Sequence, residues 1–412
     1  MTISFEPTEE QRMMRDTVAQ FAREKLRTRA RESEGKRALA DDLRASLAEL
    51  GLGMMWVPEA YGGPGTNVRT AVLVEEELAF GDAGAAFALP GPNVLAHAVL
   101  ELGDDAQRKR VFEAFTQDPL RVGAVAFSEA RGNGKRPGFS VVASHSQNKY
   151  RLDGTKSYVL NAGMASSYVV FAQVDESKGW NGVGAFLVDA SSKGVNAIKR
   201  HDTVGLDAAR FGEVTFDGVE VSEEDRLLGG GDFDAGLRRF FARQSLQVAA
   251  RAVGLSRAAW ELSRDYAEER KAFGKPIGHF QSIAFGLADR LMDVDGARGL
   301  VWRAAWTLDG AGSPYFHKKH PGDTELLMRC AESIAEAGEV AVRCGDDAVQ
   351  IHGGAGFVRD YLAEKFFRDA KQLALAAPSA TTSDQLFAAL CLDAPLDPAL
   401  VLPMPEIQPI FT

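Results

Sequence analysis

The 412-residue chain is poor in cysteine, with only Cys330, Cys344 and Cys391. An odd count without metal-ligand spacing excludes a disulfide framework or a structural metal ribbon. It fits reduced thiols of a cytoplasmic protein, packed as small hydrophobes. Long apolar runs are also missing: none reaches the ~18 residues of a membrane helix, so no membrane partner is expected. The opening MTISFEPTEEQRMM has neither a basic region nor an apolar core, so no secretory signal is expected there. Positive charge is in deficit, 47 Lys+Arg against 57 Asp+Glu for a net charge of -10. Such a surface repels nucleic acid, although a small anion needs only a local cluster of donors.

What is present is ordinary globular composition, 45% hydrophobic and 25% charged, in a chain too long for one simple core. Three zones follow one another. From about Glu9 to Phe115 the pattern is helical, and EEQRMMRDTVAQFAREKLR places Met13, Val18, Phe21 and Leu26 near one face. From about Arg121 to Gly231, short β-branched or aromatic runs such as SYVVFAQV and GEVTFDGVEV alternate with Gly, Asn and Asp, which suggests an antiparallel sheet or barrel. From about Phe233 to Leu390 long helical stretches return, before a proline-rich tail that is expected to pack as an irregular extension. The expected domains are 1–120, 121–232, 233–390 and a tail over 391–412.

Two segments carry recognisable chemistry. ERKAFGKPIGHFQ contains Arg270, Phe273, Gly274 and Gln281. A guanidinium can make forked hydrogen bonds to a pyrophosphate, Phe offers an apolar face, and a Gln amide satisfies polar edges. On its own the segment reads equally as a surface charge at a helix end beside a turning glycine. QIHGGAGFVRDYLAEKFFRDAK contains Gln350, Gly353, Gly354 and Gly356, and closely spaced glycines let backbone approach a phosphate-bearing ligand.

Together, and with the order of zones, these segments resemble the acyl-CoA dehydrogenases over about residues 5–390. The first matches that family's Arg-x-x-Phe-Gly pattern followed by Gln. The second matches its Gln-x-x-Gly-Gly-x-Gly pattern, extended by Glu364, Lys365, Arg368, Asp369 and Lys371. The resemblance implies an α+β, mainly α fold: an N-terminal helical domain, a middle antiparallel β-barrel-like domain and a C-terminal four-helix bundle. It implies FAD as cofactor, an acyl-CoA substrate, and same-family subunits that pair so that each flavin is gripped by two chains. Arg270, Phe273, Gln281, Gln350, Gly353 and Gly354 would reach the partner's flavin. Phe127, Ser128 and Tyr158 would face the chain's own flavin, Tyr158 standing where the family usually has Trp.

Departures from the family pattern bear on activity. The family's base is a carboxylate shortly after Arg-Asp-Ala-Lys; by spacing from Lys371 that position holds Ala377. The alternative slot, before the Arg-x-x-Phe-Gly motif, holds Gln244, and a neutral amide is no base near pH 7. Leu160 replaces a Thr that bonds the flavin, Gly134 replaces a pyrophosphate-binding Ser, and Asp207-Ala208-Ala209 stands for Arg-x-Ser. Groups aimed at a partner's flavin are intact while groups serving the chain's own site are eroded.

Three readings follow from the resemblance. The first is an acyl-CoA dehydrogenase whose base lies elsewhere, with Glu129 and Asp207 as candidates. The second is a non-catalytic, FAD-clasping subunit of a heteromeric dehydrogenase, and the third a flavin monooxygenase on the same fold. His201, His279 and His352 lack metal-ligand spacing and are read as loop or helix-end residues.

Overall fold

The computed structural model describes residues 6–130, 138–311, 322–376 and 379–392. Gly134 with its immediate neighbours, Ala377 and the proline-rich tail lie outside the described residues.

The N-terminal helices begin where the sequence places a cap. Thr8 and Gln11 form a capping box at the start of α1 (Glu9–Phe21). The expected apolar face is only partly inside. Val18, Ala22 and Leu26, spaced by four, are buried, while Met13 is 70% exposed. Five residues before Val18, Met13 lies ~140° around the helix from that stripe, and Met14 packs there instead. Then come α2 (Ala30–Lys36) and α3 (Asp41–Glu49), the latter ending at Gly51 in the left-handed region. The long α4 (Val68–Phe87) is capped by Asn67 and kinked at Asp82, and α5 (Val94–Leu102) and α6 (Asp105–Gln117) complete the zone.

The middle zone is one eight-stranded sheet, antiparallel in most of its pairings. Its strands are β1 (Gly123–Ala126), β2 (Val142–Ser146), β3 (Lys149–Leu160), β4 (Ser167–Gln173), β5 (Val183–Asp189), β6 (Val195–Arg200), β7 (Phe211–Ser222) and β8 (Arg226–Leu227). The order is β6-β7-β3-β2-β4-β5-β8, with β1 pairing β4 in parallel and one parallel pairing of β2 with β4. The parallel pairing has a topological cause: the β2–β3 hairpin lies in the connection between β1 and β4, which is therefore long enough to return the chain in the same direction. Tyr168, Phe186 and Phe216 fill the inner face.

The last zone is a bundle of α7 (Phe233–Glu269), α8 (Gln281–Trp306), α9 (Asp323–His352) and α10 (Ala363–Ala374), with α11 (Ala380–Cys391) along α9. A small hairpin, β9 (Lys271–Ala272) and β10 (Lys275–Pro276), joins α7 to α8. Ala249, Ala252 and Val253 of α7 share one core with Leu78 of α4 and Ala337 and Ala341 of α9. Small side chains permit that approach. At Gly254 a Cβ would lie 2.1 Å from the Glu76 carbonyl oxygen, so the α4–α7 crossing demands glycine. Among the described residues no helix is long and apolar enough to cross a membrane.

Candidate functional site

Where the sheet meets the bundle, a cavity of about 650 Å³ opens. Val125 of β1, Ser157, Tyr158 and Leu160 of β3, Phe241 and Gln244 of α7, and Leu375 and Ala376 after α10 are on its wall, as are Phe127 and Ser128. Of the sequence-selected residues, Phe127, Ser128, Tyr158, Leu160 and Gln244 thus come together.

The sheet wall is shaped by a break in β3. The β3–β7 register shifts between Lys156 and Val159, and Tyr158 takes φ 55. A bulge of this kind re-aims side chains, and a non-glycine residue in the left-handed region costs about 1–2 kcal/mol. The tyrosine ring is consequently 58% exposed rather than packed in the sheet. His201 stacks on it, with ring centroids 4.6 Å apart and an interplanar angle of 28°. The Tyr158 N–H points at His201 Nε2, 3.4 Å away, which leaves the proton of a neutral His201 on Nδ1. His201 is a loop residue, as the sequence reads, and it also lines the cavity. His279 is exposed, and His352 is buried at the end of α9.

Phe127 and Ser128 are held from behind by Lys156. Its Nζ donates to the Phe127 carbonyl and to Glu129 Oε1, both at 2.9 Å, and lies 3.4 Å from the centre of the Phe139 ring. Burial pushes this amine down to about 8, against the opposing pull of Glu129. The Glu129 carboxylate is consumed by Lys156, the Ser140 N–H and hydroxyl, and the Val141 N–H. It is not on the cavity wall, so it is a strut and not a base. Asp207 is off the wall too: Arg368 lies at 3.5 Å, and burial together with the Glu34 charge raises its carboxyl. Its neighbour Leu206 is tied by its N–H to Asp369 Oδ1 at 2.6 Å, and Asp369 shares Lys365 with Asp82 at the α4 kink. This buried triad anchors the loop that carries His201 to Val204.

The remaining sequence-selected residues lie outside the cavity. Arg270, Phe273, Gln281, Gln350, Gly353 and Gly354 are all exposed. Two contacts bring their segments to one end of the bundle: Tyr266, one turn before Arg270, stacks on His352 at 4.1 Å, and its hydroxyl donates to the His352 carbonyl. Phe273 and Gly274 form the hairpin tip with φ 51 and 84, and the Phe273 ring is 95% exposed. An aromatic held in the left-handed region with its ring in solvent is strained for a purpose other than packing. A Cβ built at Gly353 or Gly354 meets nothing within 4 Å, whereas one at Gly356 would strike the Val349 carbonyl at 2.2 Å. Gly356 is therefore needed for packing, and Gly353 and Gly354 leave an open cradle.

The sequence reading missed the inner end of the cavity. Arg251 of α7 lines it with Asn93 and Gln247, and is paired with the fully buried Glu75 of α4. Among the described residues, no group of three His, Cys, Asp or Glu side chains could hold a metal ion.

Comparisons with known proteins agree with this architecture along most of its length. The N-terminal, middle and C-terminal domain models of acyl-CoA dehydrogenase match residues 8–118, 124–219 and 236–377. The short-chain specific acyl-CoA dehydrogenase of Megasphaera elsdenii is 32% identical over 361 residues, covering 85% of this chain and 90% of the relative. The 3-(aryl)acrylate reductase of Clostridium sporogenes is 28% identical over 372 residues, covering 89% of this chain and 94% of the relative. The solved structure of butyryl-CoA dehydrogenase from Megasphaera elsdenii superposes with a TM-score of 0.85 at 29% identity, covering 95% of this chain and all of that one. The chain belongs to the acyl-CoA dehydrogenase family.

Proposed function

We propose that this chain is an FAD-dependent oxidoreductase subunit that acts in α,β-dehydrogenation of an acyl-CoA thioester. On this reading the cavity receives the flavin ring and the acyl group, and the exposed clasp grips the flavin of a same-family neighbour. The observation that carries it is the separation of the two sets: Phe127, Ser128 and Tyr158 on one cavity wall, Arg270, Phe273, Gln281, Gln350, Gly353 and Gly354 in solvent at one end of the bundle.

The residues present fit FAD. Gly353 and Gly354 leave room for a phosphate-bearing group, the Arg270 guanidinium has the geometry for a pyrophosphate, and the Phe273 and Tyr158 rings offer faces for stacking. FAD, when bound, supplies a hydride acceptor. Ser128 would present its hydroxyl to the ring, and Phe241 and Val248 would exclude water from the acyl group.

Proton removal is the weak step. Gln244 is on the wall but is an amide, and Ala377 brings no acceptor by its residue type. The histidine and carboxylate on the wall are His201 and Asp202, at the mouth. This favours a second reading, a clasping subunit whose partner supplies the complete site.

The test is to purify the chain alone, measure flavin per chain and oligomeric mass, and mix it anaerobically with a panel of acyl-CoAs. Bound flavin that bleaches supports dehydrogenation by this chain. Full flavin in a homo-oligomer with no bleaching across the panel sinks that activity. Low flavin that a same-family partner restores supports the clasping subunit.

A further inference from the structure

The inner end of the cavity holds a cation that neither the flavin wall nor the clasp uses. Arg251 is 1% exposed, and its Nε and Nη2 reach Glu75 Oε2 and Oε1 at 2.7 and 3.3 Å. Glu75 also receives Gln247 Nε2 at 2.6 Å and Trp56 Nε1 at 3.0 Å, so its acceptor capacity is filled. Gln247 Oε1 in turn faces His97 Nε2 at 3.2 Å, which assigns the imidazole proton to Nε2. The guanidinium is not so fully used. Nη2 also reaches Asn93 Oδ1 at 3.5 Å, but Nη1 has no acceptor among the described residues.

Bridging α4 to α7 needs only Nε and Nη2. Nη1 is not among the side-chain atoms sealed from solvent without a partner, so on a side chain that is 1% exposed and lines the cavity it is open to an acceptor there. The natural acceptor is therefore part of a ligand. Its charge follows from the surroundings. Arg251 and Glu75 cancel, and Asn93, Gln244, Gln247 and neutral His97 add nothing. Arg243, the next cation, is not on the cavity wall, and with Arg239 it is held on Glu101. A carboxylate at Nη1 would be buried beside Glu75 without a counter-ion of its own, whereas a carbonyl or hydroxyl oxygen would accept the bond without burying charge. Phe87, Val94, Phe241 and Val248 form apolar walls around this end and suit a hydrocarbon body.

We propose that Arg251 Nη1, set by Glu75 and Asn93, reads a neutral hydrogen-bond-accepting oxygen at the remote end of the acyl group. The preferred thioester then carries a ketone or hydroxyl at that end instead of ending as plain hydrocarbon. This rests on the acyl-CoA reading given above.

Calorimetric titration of the FAD-supplemented protein tests it. The probes are straight-chain acyl-CoAs of equal length, over a series of lengths, that end in a methyl group, a methyl ketone or a carboxylate. At one length the methyl-ketone probe is expected to bind about tenfold or more tightly than the hydrocarbon. The Glu75→Gln/Arg251→Met pair, which removes both charges together, is expected to erase that preference while circular dichroism and melting report a folded chain. Should the pair fail to fold, the wild-type panel still decides. Equal binding of all probes overturns this proposal and leaves the acyl-CoA reading standing, and so does a preference for the carboxylate. Binding of no thioester at any length overturns both.

Discussion

The imidazole of His201, in the loop after β6, lies at 4.6 Å against the ring of Tyr158, which the β3 bulge presents at the mouth of the cavity. Tyr158 is held in the left-handed region with its ring largely in solvent, as is Phe273 at the hairpin tip. These are two strained aromatics at separate places, neither serving a core, and on the proposed reading each faces a flavin.

Phe273 makes that exchange measurable. Replacing it with Asn, which tolerates positive φ, is expected to leave unfolding free energy unchanged or to raise it by up to about 1 kcal/mol. The same Phe273→Asn protein is expected to lose flavin on gel filtration. Denaturant melts of the apo chain paired with flavin absorbance give both numbers. A large loss of stability would mean that the ring packs and does not bind.

His97 predicts an acid sensitivity. Burial, and then the Arg243 and Arg251 charges, hold its imidazole down at about 3, against 6.5 unfolded. The unfolded chain therefore takes up a proton before the folded one does. The contribution to stability is complete above pH 6.5 and is lost as pH falls from there toward 3, by at most about 1.4 kcal/mol per pH unit. His97→Gln, which can still donate to Gln247, is expected to show a shallower decline over that window. Urea midpoints at a series of pH values compare the two, and parallel declines would refute the assignment.

How much of this could be read in the residues depends on sequence separation. Helix and strand zones came from periodicity, and the clasp motifs from contiguous residue types, because both are local. The parallel pairing of β1 with β4 was not legible, since strand direction depends on where the chain returns and not on composition. Nor was the Arg251–Glu75 pair: its members are 176 residues apart and each looks like an ordinary helical charge. Glu129 and Asp207 looked like candidate bases by residue type, and only their ion-pair partners and their places off the cavity wall show otherwise. His201 gave no local signal either, because its significance is the ring it stacks on.

Lys156 and Glu129 predict how strongly the cavity wall at Phe127 and Ser128 depends on one strut. Their side chains are 0% and 4% exposed, and Lys156 also supports the Phe127 carbonyl. Glu129→Gln leaves a buried amine without a counter-charge and is expected to cost about 3–5 kcal/mol in denaturant unfolding. Lys156→Met combined with Glu129→Gln is expected to recover a large part of that loss. A single Glu129→Gln change with no effect would show the pair to be dispensable.

Gln244 offers a gain-of-function test. It is on the cavity wall, and the family resemblance implies a carboxylate slot at its position. If the site lacks only its base, Gln244→Glu is expected to raise the rate of anaerobic flavin bleaching by acyl-CoA about a hundredfold or more, within the ~10²–10⁴ range of general base catalysis. An unchanged rate, with flavin content intact, would show that the cavity does not orient the thioester for this chemistry.

The exposed clasp makes the strongest prediction, because it concerns which chain serves which site. Arg270→Ala removes the guanidinium and leaves the cavity whole; Tyr158→Asp damages the cavity mouth and leaves the clasp whole. If the clasp acts across a subunit interface, each variant alone is expected to bind little flavin. Unfolding the two together and reassembling them is expected to restore flavin to about a quarter of full occupancy. Random pairing makes half the dimers mixed, and each mixed dimer has one site with both parts intact. A clasp acting within its own chain gives no restoration, since every site then keeps its defect. Flavin absorbance per chain in the mixed sample, against the two variants refolded separately, distinguishes the cases without requiring any turnover.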